Sequence, residues 1–319
     1  MLRMIVMDLL SLKKRWLLHV LLLVMLAYLG YMVAQDYHQA TRIFESHLAF
    51  SYADFAEAAS QLSEGETEVY LSYEEYDDQG ELYSIGYYSL PVSQFDRVIL
   101  PGALQTKYRY MNLLPVILAI MAASIVGSEY STRTLHKVLA KGVPRINYFG
   151  AKLINLGILT IAFILTCVVF IFVAGLITTW LITGNISWSF ITTGFAGSVL
   201  LNVGYVALMM MVYVCFSAFV TVMLKSSIAG IIAGVVIFFI DGAIMGQVAA
   251  SNPNSWLGYT ISYNVTYLFE LISPSPVNDG IFNSLSTNPL QAVTVLSLYC
   301  GLFILASFLV FRRQDLTSG

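Results

Sequence analysis

Six long apolar stretches dominate the pattern of hydrophobic and polar positions along the 319 residues. They cover residues 16–34, 111–127, 153–180, 193–223, 227–249 and 290–311. About 20 consecutive apolar residues are enough for a helix to cross a bilayer. The composition agrees, because only 11% of the residues are charged and the mean hydropathy is +0.74, whereas a soluble domain carries about 25% charged residues. We therefore predict an all-α integral membrane protein with six transmembrane helices.

The segments between the spans differ in character and complete the predicted organisation. Residues 1–15 are mostly apolar with a few charges, which is typical of a cytoplasmic helix lying in the membrane interface. Residues 128–152 form a basic cytoplasmic segment, and residues 312–319 form a cytoplasmic tail. Residues 250–289 are rich in Ser, Asn, Pro and aromatic residues, so they predict an extracellular or re-entrant segment, since aromatic rings favour the headgroup zone.

Residues 35–110 form the largest region outside the predicted spans. Apolar residues recur at helical spacing in its first part. Thr67–Tyr73 and Leu82–Leu90 then show the composition of strands, with Asp77–Gly80 between them as a turn. We predict a small α+β extracellular domain between transmembrane helices 1 and 2.

The basic residues give the orientation of the predicted spans. Of the 16 Lys and Arg residues, 12 fall on the side that carries both termini, which is therefore cytoplasmic. By contrast, 13 of the 19 acidic residues fall between Asp36 and Asp96, in the outer region. The net charge of −3 thus combines a basic inner side with an acidic outer side. The only basic cluster lies at the predicted membrane surface, which argues against nucleic-acid binding.

Motifs that would make the chain an enzyme are absent from the sequence. There is no G-x-x-x-x-G-K-[ST] loop for ATP, no H-E-x-x-H and no G-x-S-x-G. The four histidines are scattered, and the three cysteines all fall within predicted spans. We therefore assign no catalytic residue and no metal site, and the chain cannot bind ATP through a P-loop.

The basic segment 128–152 has a helical pattern of its own. Arg133, Lys137 and Lys141 recur every four residues and so share one face of a helix. Gly142 suits the end of that helix, and Pro144 suits the first turn of a second helix that leads into span three. An ordinary positively charged inner loop would need only the charges, and this alternative stays open.

This stretch resembles the cytoplasmic segment between spans two and three of ABC-2 type permeases, the membrane subunits of ATP-binding-cassette exporters. The matching residues are Gly127, Glu129, Tyr130, Thr134, Leu135, Leu139, Gly142, Arg145, Tyr148, Lys152 and Leu153. The ending Phe311–Leu316, basic and then acidic, is similar to the tail of that family. The number of spans, the inner termini and the large first outer loop also fit.

The resemblance implies that residues 128–152 couple the chain to a separate ABC ATPase subunit, present in two copies. Glu129 would be the acidic residue at the base of span two. Arg133, Lys137, Lys141 and Arg145 would contact the ATPase or lipid headgroups. The resemblance further implies a second permease subunit, as a homodimer or heterodimer, with membrane lipids around it. No cofactor would bind the chain directly, and ATP-Mg would act through the partner ATPase.

Span five contains a carboxylate, Asp241, deep in the predicted membrane. A charge at that depth costs a few kcal/mol and therefore indicates function. Around the helix, Asp241 falls close to Gly230 and Gly234, whose spacing is that of a G-x-x-x-G packing motif. We predict that Asp241, Gly230 and Gly234 lie on the translocation path or at a helix interface. Alternatively, span five ends early and Asp241 reaches outer water.

Together these features predict a permease subunit of an ABC exporter. ATP hydrolysis by the separate subunit would drive export of a hydrophobic, peptide-like or ionic substrate, such as an antimicrobial peptide or a drug. Two other functions stay open: a mechanical signalling device that moves the outer domain without transport, and an ion-coupled transporter with no ATPase.

Overall fold

The computed structural model describes residues 16–46, 68–76, 82–91, 98–131, 144–249, 256–273 and 288–314. Within them the chain is helical apart from one pair of strands. The helices are α1 (Trp16–Ser46), α2 (Gly102–Lys107), α3 (Leu114–Ser131), α4 (Arg145–Thr183), α5 (Thr193–Leu224), α6 (Ser227–Ala249), α7 (Ile261–Ile272) and α8 (Pro289–Arg313). Short 3-10 helices occupy Tyr108–Leu113 and Trp256–Tyr259. The predicted interfacial helix at residues 1–15 lies outside the described residues.

Five helical stretches in the described residues are long and apolar enough to cross a membrane. They are Trp16–Arg42, Gly102–Tyr130, Arg145–Thr183, Thr193–Leu224 and Pro289–Arg313. Each contains most or all of one predicted span. The remaining prediction, residues 227–249, coincides with α6, of which Ser227–Ile240 counts as a shorter apolar helix. The chain is a multi-pass membrane protein, and the count of six spans stays a prediction.

Helix α4 extends beyond the apolar stretch that predicted it. Helix α4 contains 39 residues and begins at Arg145 rather than at residue 153. At 1.5 Å per residue its length is about 58 Å, nearly twice the thickness of a hydrocarbon core. Its first two turns therefore belong to the predicted coupling segment while remaining part of the same rigid helix as span three. Hydropathy marks only the part of a helix in lipid, so it cannot show this continuation.

The two predicted strands are present and pair with each other. Strands β1 (Glu68–Tyr76) and β2 (Leu82–Pro91) are antiparallel, with Glu68 opposite Pro91 and an irregularity at Glu75 and Tyr76. Both strands therefore fall close to where the sequence indicated, and the predicted turn at Asp77–Gly80 lies outside the described residues. The helical part of the predicted α+β domain falls largely on residues 47–67, outside the described residues, and the extracellular position of the domain stays a prediction.

The described helices belong to two compact units. One comprises residues 1–26, 111–167 and 196–319, and the other comprises residues 27–110 and 168–195. In the first unit α3 and α5 are the central helices, since 67% of the most apolar window of each of their spans is buried, against 17% for α8. Met121 of α3 and Met209 and Val212 of α5 are among the fully buried side chains of these helices.

In the second unit, threonines fasten the end of α4 to the loop that precedes α2. The Thr178 hydroxyl donates to the Val98 carbonyl (2.7 Å), and the Leu100 N–H donates to the Thr179 hydroxyl (3.0 Å). Both threonine side chains are buried, so these bonds satisfy backbone groups that water cannot reach. Gly175 leaves the room for Leu100, whose side chain would lie 3.0 Å from a Cβ at that position.

Candidate coupling site

Glu129 lies in the last turn of α3 and faces the neighbouring helix α4. Its carboxylate accepts a hydrogen bond from the Tyr148 hydroxyl and forms an ion pair with the Lys152 ammonium. Tyr148 and Lys152 are four residues apart, on one face of α4. The exposed fractions of the Lys152 and Glu129 side chains are only 5% and 15%. Glu129 therefore holds two helices together, and its carboxylate is mostly shielded from water.

The positive charge of Lys152 offsets the unfavourable position of the Glu129 carboxylate at the C-terminus of α3. The C-terminal end of a helix carries about half a negative charge, which disfavours a carboxylate in its last turn. Lys152 compensates that cost. Without its partner, either charge would be buried and unpaired, which is strongly unfavourable. The two residues thus depend on each other.

Arg145 caps the C-terminus of α8. As the first residue of α4, it places Nη1 2.7 Å from the carbonyl oxygen of Gln314 and 3.4 Å from that of Arg312. The last carbonyls of a helix have no partner within the helix and carry its partial negative charge, so a guanidinium is well suited to them. Arg145 therefore connects the start of α4 to the end of α8.

Gln314, which is buried, joins two more helices to this region. Its amide nitrogen donates to the Val222 carbonyl of α5, and its amide oxygen accepts from the Tyr130 hydroxyl of α3 (3.3 Å). Beside it, the Tyr148 ring stacks on Phe311 of α8. We call Glu129, Tyr130, Arg145, Tyr148, Lys152 and Gln314 the basal network. The basal network joins the C-terminal ends of α3, α5 and α8 to the N-terminal end of α4.

Gly230 and Gly234 lie at an interface between helices of one chain. A Cβ at Gly234 would lie 2.6 Å from the Cβ of Ala119, and one at Gly230 would lie 3.0 Å from that of Ala123. The α3 and α6 backbones therefore approach closely along these four residues, which we call the glycine seam. Such small-residue contacts are characteristic of helix packing in membranes.

Ser217 of α5 binds both sides of the glycine seam. Its hydroxyl oxygen lies 2.8 Å from the Ala119 carbonyl of α3 and 3.1 Å from the Gly230 carbonyl of α6. One hydroxyl thus bridges three helices. Near the basal network the same pair of helices meets at Gly127, where a Cβ would overlap Ser227.

A family model for ABC-2 family transporter proteins matches residues 6–316, which is nearly the whole chain. The chain belongs to the ABC-2 transporter family. Members of this family are membrane components of transport systems and are not themselves catalytic. Comparisons with curated proteins and with solved structures give no significant match.

Several predicted site residues of this ABC-2 protein lie outside the part that the structure describes. Arg133, Lys137 and Lys141 fall between Ser131 and Pro144, so their common helical face stays a prediction. Asp241 lies within α6, about 21 Å along the axis from Ser227. The helix does not end before Asp241, although the surroundings of its side chain are outside the described residues.

The sequence did not indicate a buried ion pair in the second unit. Asp36 of α1 and Lys107 of α2 approach to 3.7 Å, and the Tyr110 hydroxyl donates to Asp36 at 2.7 Å. The Lys107 side chain is fully buried, and that of Asp36 is 10% exposed. Lys107 and Asp36 are 71 positions apart in the sequence, and each was assigned only to an outer loop. No local pattern pairs them, and the only signal was a lysine directly before an apolar span.

Proposed function

We propose that this ABC-2 protein is the permease subunit of an ABC exporter, driven by a separate ATPase subunit that binds ATP-Mg. The family match over residues 6–316 is the observation that carries the proposal. It is supported by the absence of an ATP-binding loop from the sequence, since transport by this chain then needs an external source of energy. Two ATPase copies would act on two permease subunits.

The basal network supports a division of labour within segment 128–152. Glu129 and Arg145 direct their charges at α4 and α8 rather than away from the protein. In our proposal they are positioning residues, which make the ends of four helices move together. Arg133, Lys137 and Lys141 then provide the docking surface for the ATPase. A movement of the ATPase that displaces segment 128–152 would therefore displace α3 and α4 together.

The glycine seam supports a route by which that movement would spread. Interfaces of small residues hold helices by close backbone contact and carry few interlocked side chains. Helix α3 can therefore slide or tilt along α6 with little rearrangement of side chains. Closure of the ATPase dimer would shift α3 and α4 in this way and open the permease outward, releasing the substrate.

Docking is tested by neutralising the three basic residues and measuring the assembly of the complex. We expect Arg133→Gln/Lys137→Gln/Lys141→Gln to lose binding of the ATPase subunit while the variant still inserts and folds. Lys225→Gln/Arg312→Gln/Arg313→Gln is the matched control, because it removes three charges from the same predicted side. The measurements are the amount of ATPase subunit that co-purifies with each variant and ATP hydrolysis after the purified variant and ATPase are combined in lipid vesicles. Equal assembly and hydrolysis in both triple variants would refute the docking assignment.

A further inference from the structure

A half-enclosed cavity of about 460 Å³ lies within the first unit. Its walls come from the start of α3, the middle of α5, the second half of α6, and α7. The lining residues are Asn112, Pro115, Tyr213, Phe238, Phe239, Ala243, Ser262, Val265, Thr266 and Phe269. Packed protein interiors leave few voids larger than one water molecule. This cavity has the size of a small-molecule site.

The wall formed by α7 is well ordered by its own hydrogen bonds. The Thr260 hydroxyl caps the helix by accepting from the Tyr263 N–H (3.3 Å). The Asn264 amide donates to the carbonyls of Gly258 (2.9 Å) and Thr260 (2.7 Å). Because α7 is amphipathic, its buried side, including Leu268, anchors it to the first unit. The α7 wall of the cavity is thus held in place by these bonds and by its buried side.

The chemistry of the lining defines the class of molecule that fits. Phe238, Phe239 and Phe269 supply aromatic surface, and the Phe238 and Phe239 rings meet edge to face at 5.8 Å. Asn112 and the hydroxyl residues, among them Thr266, supply groups that form hydrogen bonds. None of the described residues that line the cavity is charged. A charged ligand would be buried there without a counter-charge, which is costly.

The place of the cavity along the helices suits a ligand that comes from the membrane. Phe238 is about 17 Å along α6 from Ser227, and Tyr213 is about 17 Å along α5 from Leu224, which lies close to Ser227 in the chain. With α6 as the predicted fifth span, both residues would lie near the middle of a hydrocarbon layer about 30 Å thick. The cavity also touches α3 and α6, the two helices of the glycine seam, so an occupant would be placed between the elements that are proposed to move.

We propose that this cavity binds an uncharged amphipathic molecule with an aromatic or similarly compact apolar body. The inference rests on the proposed function, since it names the substrate class of the same permease. Of the three classes allowed by the sequence it favours the hydrophobic one, because the described lining residues offer aromatic surface and uncharged hydrogen-bonding groups.

Photolabelling in lipid nanodiscs tests this site without any ATPase. The probe is trifluoromethyl-diazirinyl benzyl alcohol, and the matched probes are the corresponding benzoic acid and benzylamine. We expect the alcohol to label peptides of α6 and α7 in a saturable way, at concentrations about a hundredfold below those needed for the charged probes. Unsaturable labelling, or equal labelling by all three probes, would overturn the proposal.

Variants of α7 connect the labelling to the cavity. Thr266→Trp fills the cavity and should abolish saturable labelling, whereas Leu271→Trp, at an exposed position on the same helix, should change it less than about twofold. Thr266→Val keeps the shape and removes one hydroxyl. It should weaken binding of the alcohol about fivefold and leave binding of the toluene analogue of the probe unchanged. If labelling is the same in all three variants, the cavity is not the site.

The two proposals fail in different ways. If the cavity is labelled in a saturable way but the chain does not stimulate ATP hydrolysis by any ATPase subunit, the ligand site is supported and the proposed exporter function is refuted. A functional ATPase complex whose labelling is insensitive to Thr266 would refute only the site.

Discussion

At the scale of single residues, the structure changes the meaning of the charges in segment 128–152. The sequence groups Glu129 and Arg145 with the basic residues around them, as parts of one surface for a partner. In the structure Glu129 pairs with Lys152, and Arg145 caps α8. These two charges belong to the contacts between helices, and a contact of Arg133, Lys137 and Lys141 with the partner stays a prediction.

The Glu129–Lys152 pair should show strong energetic coupling. We expect Glu129→Gln or Lys152→Met alone to lower the free energy of unfolding by about 3 kcal/mol, because each leaves a buried charge without its partner. The double variant should cost less than the sum of the two by about 2 kcal/mol. Unfolding of the purified protein in mixed micelles measures both quantities. Additive effects would show that the two charges do not depend on each other.

The Asp36–Lys107 pair gives a second test at this scale. Lys107→Met should destabilise the protein by about 3 kcal/mol, since it breaks an ion pair between two buried charges. Arg42→Met removes an exposed cation from the same helix as Asp36 and should change stability by less than about 0.5 kcal/mol. Equal effects of the two changes in the same unfolding experiment would contradict the buried pair.

At the scale of elements, the contact between α3 and α6 depends on the absence of side chains. Gly230 and Gly234 face Ala119 and Ala123, and Ser217 bonds to backbone carbonyls on both helices. The spacing of the two glycines predicted a close-packing face, whereas the identity of the helix that packs there could not be predicted. That partner is about 110 residues away in the sequence.

Alanine substitutions distinguish the glycine seam from other glycines in the helices. Gly234→Ala should cost about 1–3 kcal/mol, since its Cβ would lie 2.6 Å from that of Ala119. Gly301→Ala in α8 meets nothing within 4 Å and should stabilise the protein by about 0.5–1 kcal/mol. Thermal unfolding of the two variants checks the opposite signs. Stabilisation by Gly234→Ala would contradict the close approach of α3 and α6.

Hydropathy and residue pattern predicted the elements well, because the spans and the hairpin depend on local sequence. Helix α4 shows what hydropathy alone would miss: its first eight residues precede the apolar stretch, and it was Pro144 that predicted a helix starting there and leading into span three. The basal network could be predicted only in part from the sequence. Glu129, Arg145, Tyr148 and Lys152 entered through the family resemblance, but their mutual contacts follow from the packing of helices that are distant in sequence. The role of Gln314 is visible only in the folded chain.

At the scale of the whole molecule, the orientation of the chain depends on α6. If α6 crosses the membrane, six spans bring both termini to the same side, as the distribution of basic residues indicates. With only the other five spans, the termini would lie on opposite sides. The side on which the C-terminus lies therefore reports directly whether α6 crosses the membrane.

Reporter fusions measure that topology directly. We expect a reporter that is active only in the cytoplasm to work after Lys225 and after Gly319, and to be inactive after Ser189. An activity after Lys225 that is lost after Gly319 would show that α6 does not cross, and would remove the six-span arrangement.

The central claim is that a separate ATPase drives this ABC-2 permease through the basal network. The most direct measurement is ATP hydrolysis by the purified complex in lipid vesicles, comparing the wild-type chain with Glu129→Gln, Arg145→Ala and the exposed control Arg313→Ala. We predict that all four chains bind the ATPase, and that only the wild type and Arg313→Ala stimulate its hydrolysis when substrate is present. Undiminished stimulation by both Glu129→Gln and Arg145→Ala would contradict the account.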